Sequence, residues 1–277
     1  MEVVRTKDEV GNPLYKLGSG DSEVVVAGFG GQILSWVKAG VPIVFENRGL
    51  AIVDGKTSYR GGAPICFPYF AKGSLLPLGT ELSPMHGRAR TSVWDQVSKD
   101  GSGELALRTV QPSGDGYGPT TFSCELSFAL SDSLVLEATV QNLGSVEAPF
   151  QLAVHTYWAT AEPAKATIIG FGNRYLDNIL GMSEHYEEDS SVPHLAPVDR
   201  VYVDAAPHLE LSTEAYRLEI TTAGCSGAVL WNPGPDHGLK DLGSPDFICL
   251  ESGQIVPGKV LAPGDQHRIE IDYRAHV

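Results

Sequence analysis

Two ionisable side chains stand inside apolar, strand-like runs. His155 falls in Phe150-Gln151-Leu152-Ala153-Val154-His155-Thr156-Tyr157-Trp158, and Glu251 in Phe247-Ile248-Cys249-Leu250-Glu251-Ser252-Gly253. Alternation puts Leu152, Val154, Thr156 and Trp158 on one face, and His155 with Gln151, Ala153 and Tyr157 on the other. Glu251 shares its face with Phe247 and Cys249. A carboxylate in such surroundings is costly unless it has partners or a chemical task. An imidazole and a carboxylate are also the pair that proton transfer at near-neutral pH calls for. Each has a purely structural reading as well: a hydrogen-bonded core histidine, and a strand-end glutamate paired with a cation.

A third feature is a cluster of cations. Lys56, Arg60, Lys72, Arg88 and Arg90 face only Glu81 between Lys56 and Trp94, a net +4 in a chain whose formal charge is −14. The segment Tyr59–Trp94 is rich in Gly and Pro and has no clean periodicity, and a long ordered loop of that kind is commonly functional. Three arginines there suit an anion; the competing reading is a set of solvated or acid-paired surface side chains. Trp158 and Trp231 suit either stacking on a sugar or burial. Asp199-Arg200 reads as a charged pair heading a strand, and Asp177 as a polar contact or an Asx turn.

The elements that must hold these groups are strands. Apolar residues alternate through Phe122, Cys124, Leu126, Phe128 and Leu130, through Leu134, Leu136, Ala138 and Val140, and through Ile269, Ile271 and Tyr273. Strict period two marks strands with one buried face. Turn signals separate the runs: Asp100-Gly101-Ser102-Gly103, Asn142-Leu143-Gly144, Ala223-Gly224 and Asn232-Pro233-Gly234-Pro235. Short strands are also expected around Val24, Ile33, Val97, Leu105, Ile168, Val201, Leu209, Ile220 and Val229. The only helical signal is a short turn near Met182–Glu188. Many short strands in 277 residues, with no linker or repeat, predict one all-β domain over residues 1–277, a large antiparallel sandwich or barrel.

Composition narrows the chemistry. A pI near 4.9 disfavours nucleic acid and anionic membranes as partners. No run approaches 18 apolar residues and no secretory leader is visible, so a cytoplasmic protein is expected. Cys66, Cys124, Cys225 and Cys249 are far apart and suit reduced thiols. His185, His194, His208, His237, His267 and His276 show no metal-ligand spacing, so neither metal nor cofactor is expected. Phosphate-loop, dinucleotide and GxSxG motifs are absent.

Taken together, several segments are similar to a known family. They are Arg60-Gly61-Gly62-Ala63-Pro64-Ile65-Cys66-Phe67-Pro68, Met85-His86-Gly87-Arg88-Ala89-Arg90, His155-Thr156-Tyr157-Trp158, Tyr175-Leu176-Asp177-Asn178, Asp199-Arg200-Val201-Tyr202, Val229-Leu230-Trp231-Asn232-Pro233 and Cys249-Leu250-Glu251. In this order and spacing they resemble the glucose-6-phosphate 1-epimerase (hexose-6-phosphate mutarotase) branch of the aldose 1-epimerase family, from about Gly30 to the C-terminus. The resemblance implies a galactose mutarotase-like supersandwich and no cofactor. It implies His155 as general acid and Glu251 as general base, on opposite sides of the hemiacetal, with His155 holding its proton near neutrality. Arg60 and Arg90 are implied as phosphate ligands, and His86 and Asp177 as contacts to sugar hydroxyls. Where the family motif carries an aromatic residue this chain has Arg88, an added anion contact or a solvent-facing ion pair. The implied partner is a small sugar phosphate; oligomeric state is not implied. The alternatives are a non-catalytic sandwich that binds anionic carbohydrate and a mutarotase for neutral or sulfonated aldoses.

Overall fold

The computed structural model describes residues 1–46, 50–53, 56–78, 81–98, 103–114, 118–187, 192–193, 197–234 and 246–277. The expected turn residues Asp100–Ser102 and Pro235, with Glu188, His194 and His237, lie outside these. Among the described residues the chain forms two large antiparallel sheets, of thirteen and nine strands, and a small hairpin of Leu50–Val53 with Lys56–Tyr59.

The nine-strand sheet is built from the cleanest alternators. Phe122–Leu130 pairs with Leu134–Asn142, which pairs with Gln266–His276. In Leu134–Asn142 every second residue is buried, and these residues form the floor of the main apolar core. The other face of the same strands is more exposed, as a period-two pattern requires.

The middle of the thirteen-strand sheet is covered on both faces. Its central strand Phe247–Leu261 is buried at its first nine positions. Ile248 and Leu250 point into the core shared with the other sheet, while Phe247 and Cys249 belong to a small cluster on the opposite side. That opposite side is where the hollow described below lies. Trp158 joins the layers: its ring meets Tyr273 of the other sheet at 5.2 Å, and its indole N–H donates to the Leu250 carbonyl at 3.1 Å.

Two local expectations differ from the structure. Ser183–Tyr186 is a strand paired with Arg174–Asp177, not a helical turn; the segment is an edge strand whose ladder to its neighbour outweighs weak local preference. Val97 lies just past the two-residue strand Asp95–Gln96. All four cysteines are free thiols.

Candidate active site

His155 occupies a break in its strand. Ala148–Val154 ends just before it and Tyr157–Ala159 resumes just after it. The backbone across the break is held by the glycine-rich loop instead of a strand: His155 N–H donates to Pro64 O and Tyr157 N–H to Gly62 O, both at 2.9 Å. Gly62 has φ +68°, and a Cβ there would lie 2.2 Å from the Ile33 carbonyl oxygen. Only glycine lets this loop, which begins at Arg60, pass so close to the strand Ile33–Lys38 while its carbonyl reaches Tyr157. Gly87 is similarly constrained, with φ +71° and a Cβ that would meet Phe67 O at 2.2 Å; it follows His86, which itself has φ +65°.

Glu251 comes from the doubly covered strand. Register explains its neighbours: Val229 is opposite Glu251, Trp231 opposite Cys249, and Asp199 opposite Trp231. These five side chains therefore share one sheet face. Asp177 is opposite Arg200 and Arg200 opposite Leu230, which places Asp177 on the other face. There its carboxylate lies 3.9 Å from Arg200 and accepts from the Leu180 N–H. Asp177 thus does not reach the hollow; Asp199, two strands away from Glu251, does.

The hollow has a volume of about 460 Å³ and is lined by Arg60, His86, Arg90, His155, Asn178, Asp199, Trp231 and Glu251, with Phe70, Ala71, Met85, Tyr157 and Val229 completing its wall. Arg88 is not part of the lining: its carbonyl accepts from the side chains of Thr91 and Ser92 in the adjoining turn. Trp158 is buried in the core. Five of the six charged or imidazole groups expected of the arginine loop and the two strands (Arg60, His86, Arg90, His155 and Glu251) converge, while Arg88 stays outside.

His155 and Glu251 touch. His155 Nε2 lies 3.4 Å from Glu251 Oε1, so the two groups stand side by side on the floor instead of facing each other across a sugar. Glu251 Oε2 and His155 Nδ1 are buried with no hydrogen-bond partner in the protein. Polar atoms buried without a partner are the exception in folded chains, and two in one pair mark this contact as one that packing alone does not explain.

Burial pushes both groups toward their neutral forms. The His155 imidazole is pushed down to about 3 by burial, then by the positive charges of Arg90 and Arg60. The Glu251 carboxyl is held well above the usual carboxylate range by burial and by the Asp199 charge. This differs from the expected imidazolium: burial favours the uncharged form of each group, which draws a proton of the pair toward Glu251 and away from His155. The His86 imidazole is also pushed well below the ordinary histidine range, by burial first and then by His155 and the Arg90 guanidinium beside it. Its Nδ1 accepts from Ala71 N–H at 3.1 Å, which leaves its ring proton on Nε2 as a hydrogen-bond donor.

Asp199 and Asn178 form the opposite wall. Asn178 Nδ2 donates to Asp199 Oδ2 at 2.7 Å, and Asn178 N–H to the Asp199 carbonyl at 2.9 Å. One carboxylate oxygen is thereby fixed, and the other is available as an acceptor. In the sequence Asp199 reads only as half of a charged pair heading a strand; its face is decided by pairing with Ala228–Asn232, which no local pattern reveals. Trp231 and Tyr157, 6.0 Å apart at 80°, supply an aromatic corner beside His155, of the kind that packs against the C–H face of a sugar ring.

A family model described as aldose 1-epimerase matches residues 13–274. An Escherichia coli K12 protein provisionally named glucose-6-phosphate 1-epimerase is 26% identical over 234 residues, covering 80% of this chain and 76% of its own length. A Salmonella typhimurium protein with the same provisional name is 25% identical over the same shares. Among solved structures, a Salmonella typhimurium protein provisionally described as a mutarotase superposes with TM-score 0.82 at 20% identity, over 99% of this chain and 93% of that one. An Escherichia coli K12 protein provisionally described as an aldose 1-epimerase gives TM-score 0.79 at 19% identity, over 96% and 99%.

Proposed function

The chain belongs to the aldose 1-epimerase family, a family of sugar anomer interconversion, and on that premise we propose that its substrate is glucose 6-phosphate or a closely related anionic hexose. The observation that carries this reading is the convergence, in one hollow, of the touching His155–Glu251 pair with two guanidinium groups, Arg60 and Arg90.

The chemistry follows from the geometry. An anomer is converted by opening the hemiacetal, rotating about C1–C2 and reclosing. Opening removes the proton of the O1 hydroxyl and delivers one to the ring oxygen. Both oxygens are bonded to the same anomeric carbon, so two groups as close together as His155 and Glu251 can serve them in one step. Glu251 takes the O1 proton and His155 protonates the ring oxygen; on reclosure each group reverses its part. One proton shared by the pair is enough for a complete cycle, and positioned proton transfer of this kind contributes on the order of 10²–10⁴ in rate.

The bound phosphate has two roles in this scheme. Bidentate guanidinium contacts fix the far end of the sugar and so place C1 over the pair. Its negative charge also offsets the arginine charges that hold the His155 imidazole down, which moves the shared proton toward the histidine when substrate arrives. His86 Nε2–H and the Asp199 carboxylate address ring hydroxyls. With four free thiols, the protein suits a reducing compartment, and we place it in the cytoplasm.

The test is optical. A freshly dissolved single anomer of glucose 6-phosphate should mutarotate far faster with the protein than without it. Arg60→Ala or Arg90→Ala should raise KM for the phosphorylated sugar at least tenfold and change KM for free glucose little. Equal effects on both sugars would remove the arginines from phosphate binding, and no acceleration by the wild-type protein would remove the catalytic reading.

A further inference from the structure

The segment that brings Arg60 to the hollow is tied to a part of the chain that lies ahead of the family match. Asp8 sits in the turn between the strands Glu2–Lys7 and Pro13–Ser19, upstream of the matched residues 13–274. Its carboxylate organises that turn, accepting from Val10 N–H at 3.1 Å, Asn12 N–H at 2.7 Å and Asn12 Nδ2 at 2.8 Å. It also accepts from the hydroxyl of Tyr59, the residue immediately before Arg60. Nothing in the turn itself requires this fourth bond, since the first three already close it.

Tyr59 is buried, with 4% of its surface exposed, and its ring meets Phe29 edge-on at 6.2 Å. It ends the strand Lys56–Tyr59, which packs against the turn Ala89–Thr91 that carries Arg90. On the other side of Arg60 the backbone is fixed by Gly62, whose N–H donates to Phe45 O at 3.0 Å. Arg60 therefore leaves the chain between two anchors, the Gly62 loop on one side and the Tyr59 hydroxyl on the other.

We propose that Asp8 is a positioning residue for anion binding: through the Tyr59 hydroxyl it fixes the strand end from which Arg60 enters the hollow. The proposal rests on the reading of Arg60 as a phosphate ligand. The physical reason is the directionality of the guanidinium–phosphate contact. A planar fork must present two N–H groups to two oxygens at once, so a small displacement of its root forfeits most of the contact. Asp8 touches no substrate; its effect is confined to where Arg60 starts. The N-terminal hairpin thereby becomes part of the substrate-binding apparatus instead of a mere edge to the sheet.

The experiment compares Tyr59→Phe, Asp8→Ala, their combination, and Asp8→Asn, each assayed with glucose 6-phosphate and with free glucose. Tyr59→Phe removes one oxygen and keeps the ring against Phe29, so the fold should survive. The expected result is a five- to tenfold rise in KM for glucose 6-phosphate, with kcat within twofold of wild type and free glucose unaffected. The double variant should be no worse than Asp8→Ala alone, and Asp8→Asn, whose single oxygen keeps the two backbone N–H groups of the turn and turns its amide nitrogen to the Tyr59 hydroxyl, should raise KM for glucose 6-phosphate as Tyr59→Phe does. An unchanged KM in Tyr59→Phe overturns the proposal, as does an equal loss on both sugars, which would mean general loosening. Arg60→Ala separates this from failure of the underlying reading: if it raises KM for the phosphorylated sugar while Tyr59→Phe does not, only the Asp8 role falls. If Arg60→Ala has no effect either, both fall.

Discussion

At the scale of single residues, the contact between His155 Nε2 and Glu251 Oε1 decides how the protein responds to acid. Neither group titrates alone. The pair keeps one proton from the pH at which His155 takes up a second, near 3, to the raised pH at which Glu251 gives up the only one. Below the lower limit both members are protonated and no base remains; above the upper limit both are deprotonated and no acid remains. The kcat/KM profile with free glucose should therefore stay flat as pH falls through the ordinary histidine range, and decline on the alkaline side above the ordinary carboxylate range. An acid limb within the ordinary carboxylate range would show instead that Glu251 takes up its proton independently of His155. The two residues were conspicuous in the sequence because each interrupts an apolar alternation. Their adjacency was not, since it depends on the pairing of strands almost a hundred positions apart.

Among the elements, the glycine-rich loop does the work of a missing strand. It supplies the acceptors for His155 and Tyr157 where the sheet is broken, and it starts at Arg60. Gly62→Ala forces an L-residue into φ +68° with its Cβ against a backbone oxygen, at a cost of at least about 1–3 kcal/mol from the backbone conformation alone. Urea unfolding should show the loss in stability, and mutarotase activity should fall more than the folded fraction does, because the His155 break loses its support. Much of this level was readable in the sequence: the strands Phe122–Leu130 and Leu134–Asn142 follow their alternation closely, and the aperiodic Tyr59–Trp94 segment does supply the cations of the hollow. Which aspartate faces inward was not readable. Asp177 is the last residue of Arg174–Asp177 and Asp199 the second of Val198–Tyr202, and only the register linking these strands with Ala228–Asn232 assigns them to opposite faces. The helical turn expected near Met182 gave way for the same reason, since ladder pairing across an edge leaves no local trace.

For the molecule as a whole, the catalytic sheet depends on the sheet behind it. Trp158 follows His155 by three residues, yet it is a core residue that packs on Tyr273 and donates to Leu250, next in sequence to Glu251. Trp158→Ala should destabilise the protein by about 3–5 kcal/mol, as expected for a large buried aromatic, measured from denaturant midpoints at constant m-value. A change below about 1 kcal/mol would mean that the two sheets are coupled elsewhere. Among the described residues, no helix is long and apolar enough to cross a membrane and no cluster of His, Cys, Asp and Glu suits a metal ion. The −14 formal charge means that a dianionic sugar of the kind proposed above would approach against the average field of the protein and would depend on the arginine corner of the hollow for its capture.

The side-by-side placement of imidazole and carboxylate carries a kinetic corollary. A catalyst that ends each turnover in the protonic state in which it began borrows nothing from the medium. Raising the concentration of a general-base buffer at fixed pH and ionic strength should accelerate the spontaneous reaction while leaving the enzymatic increment where it was.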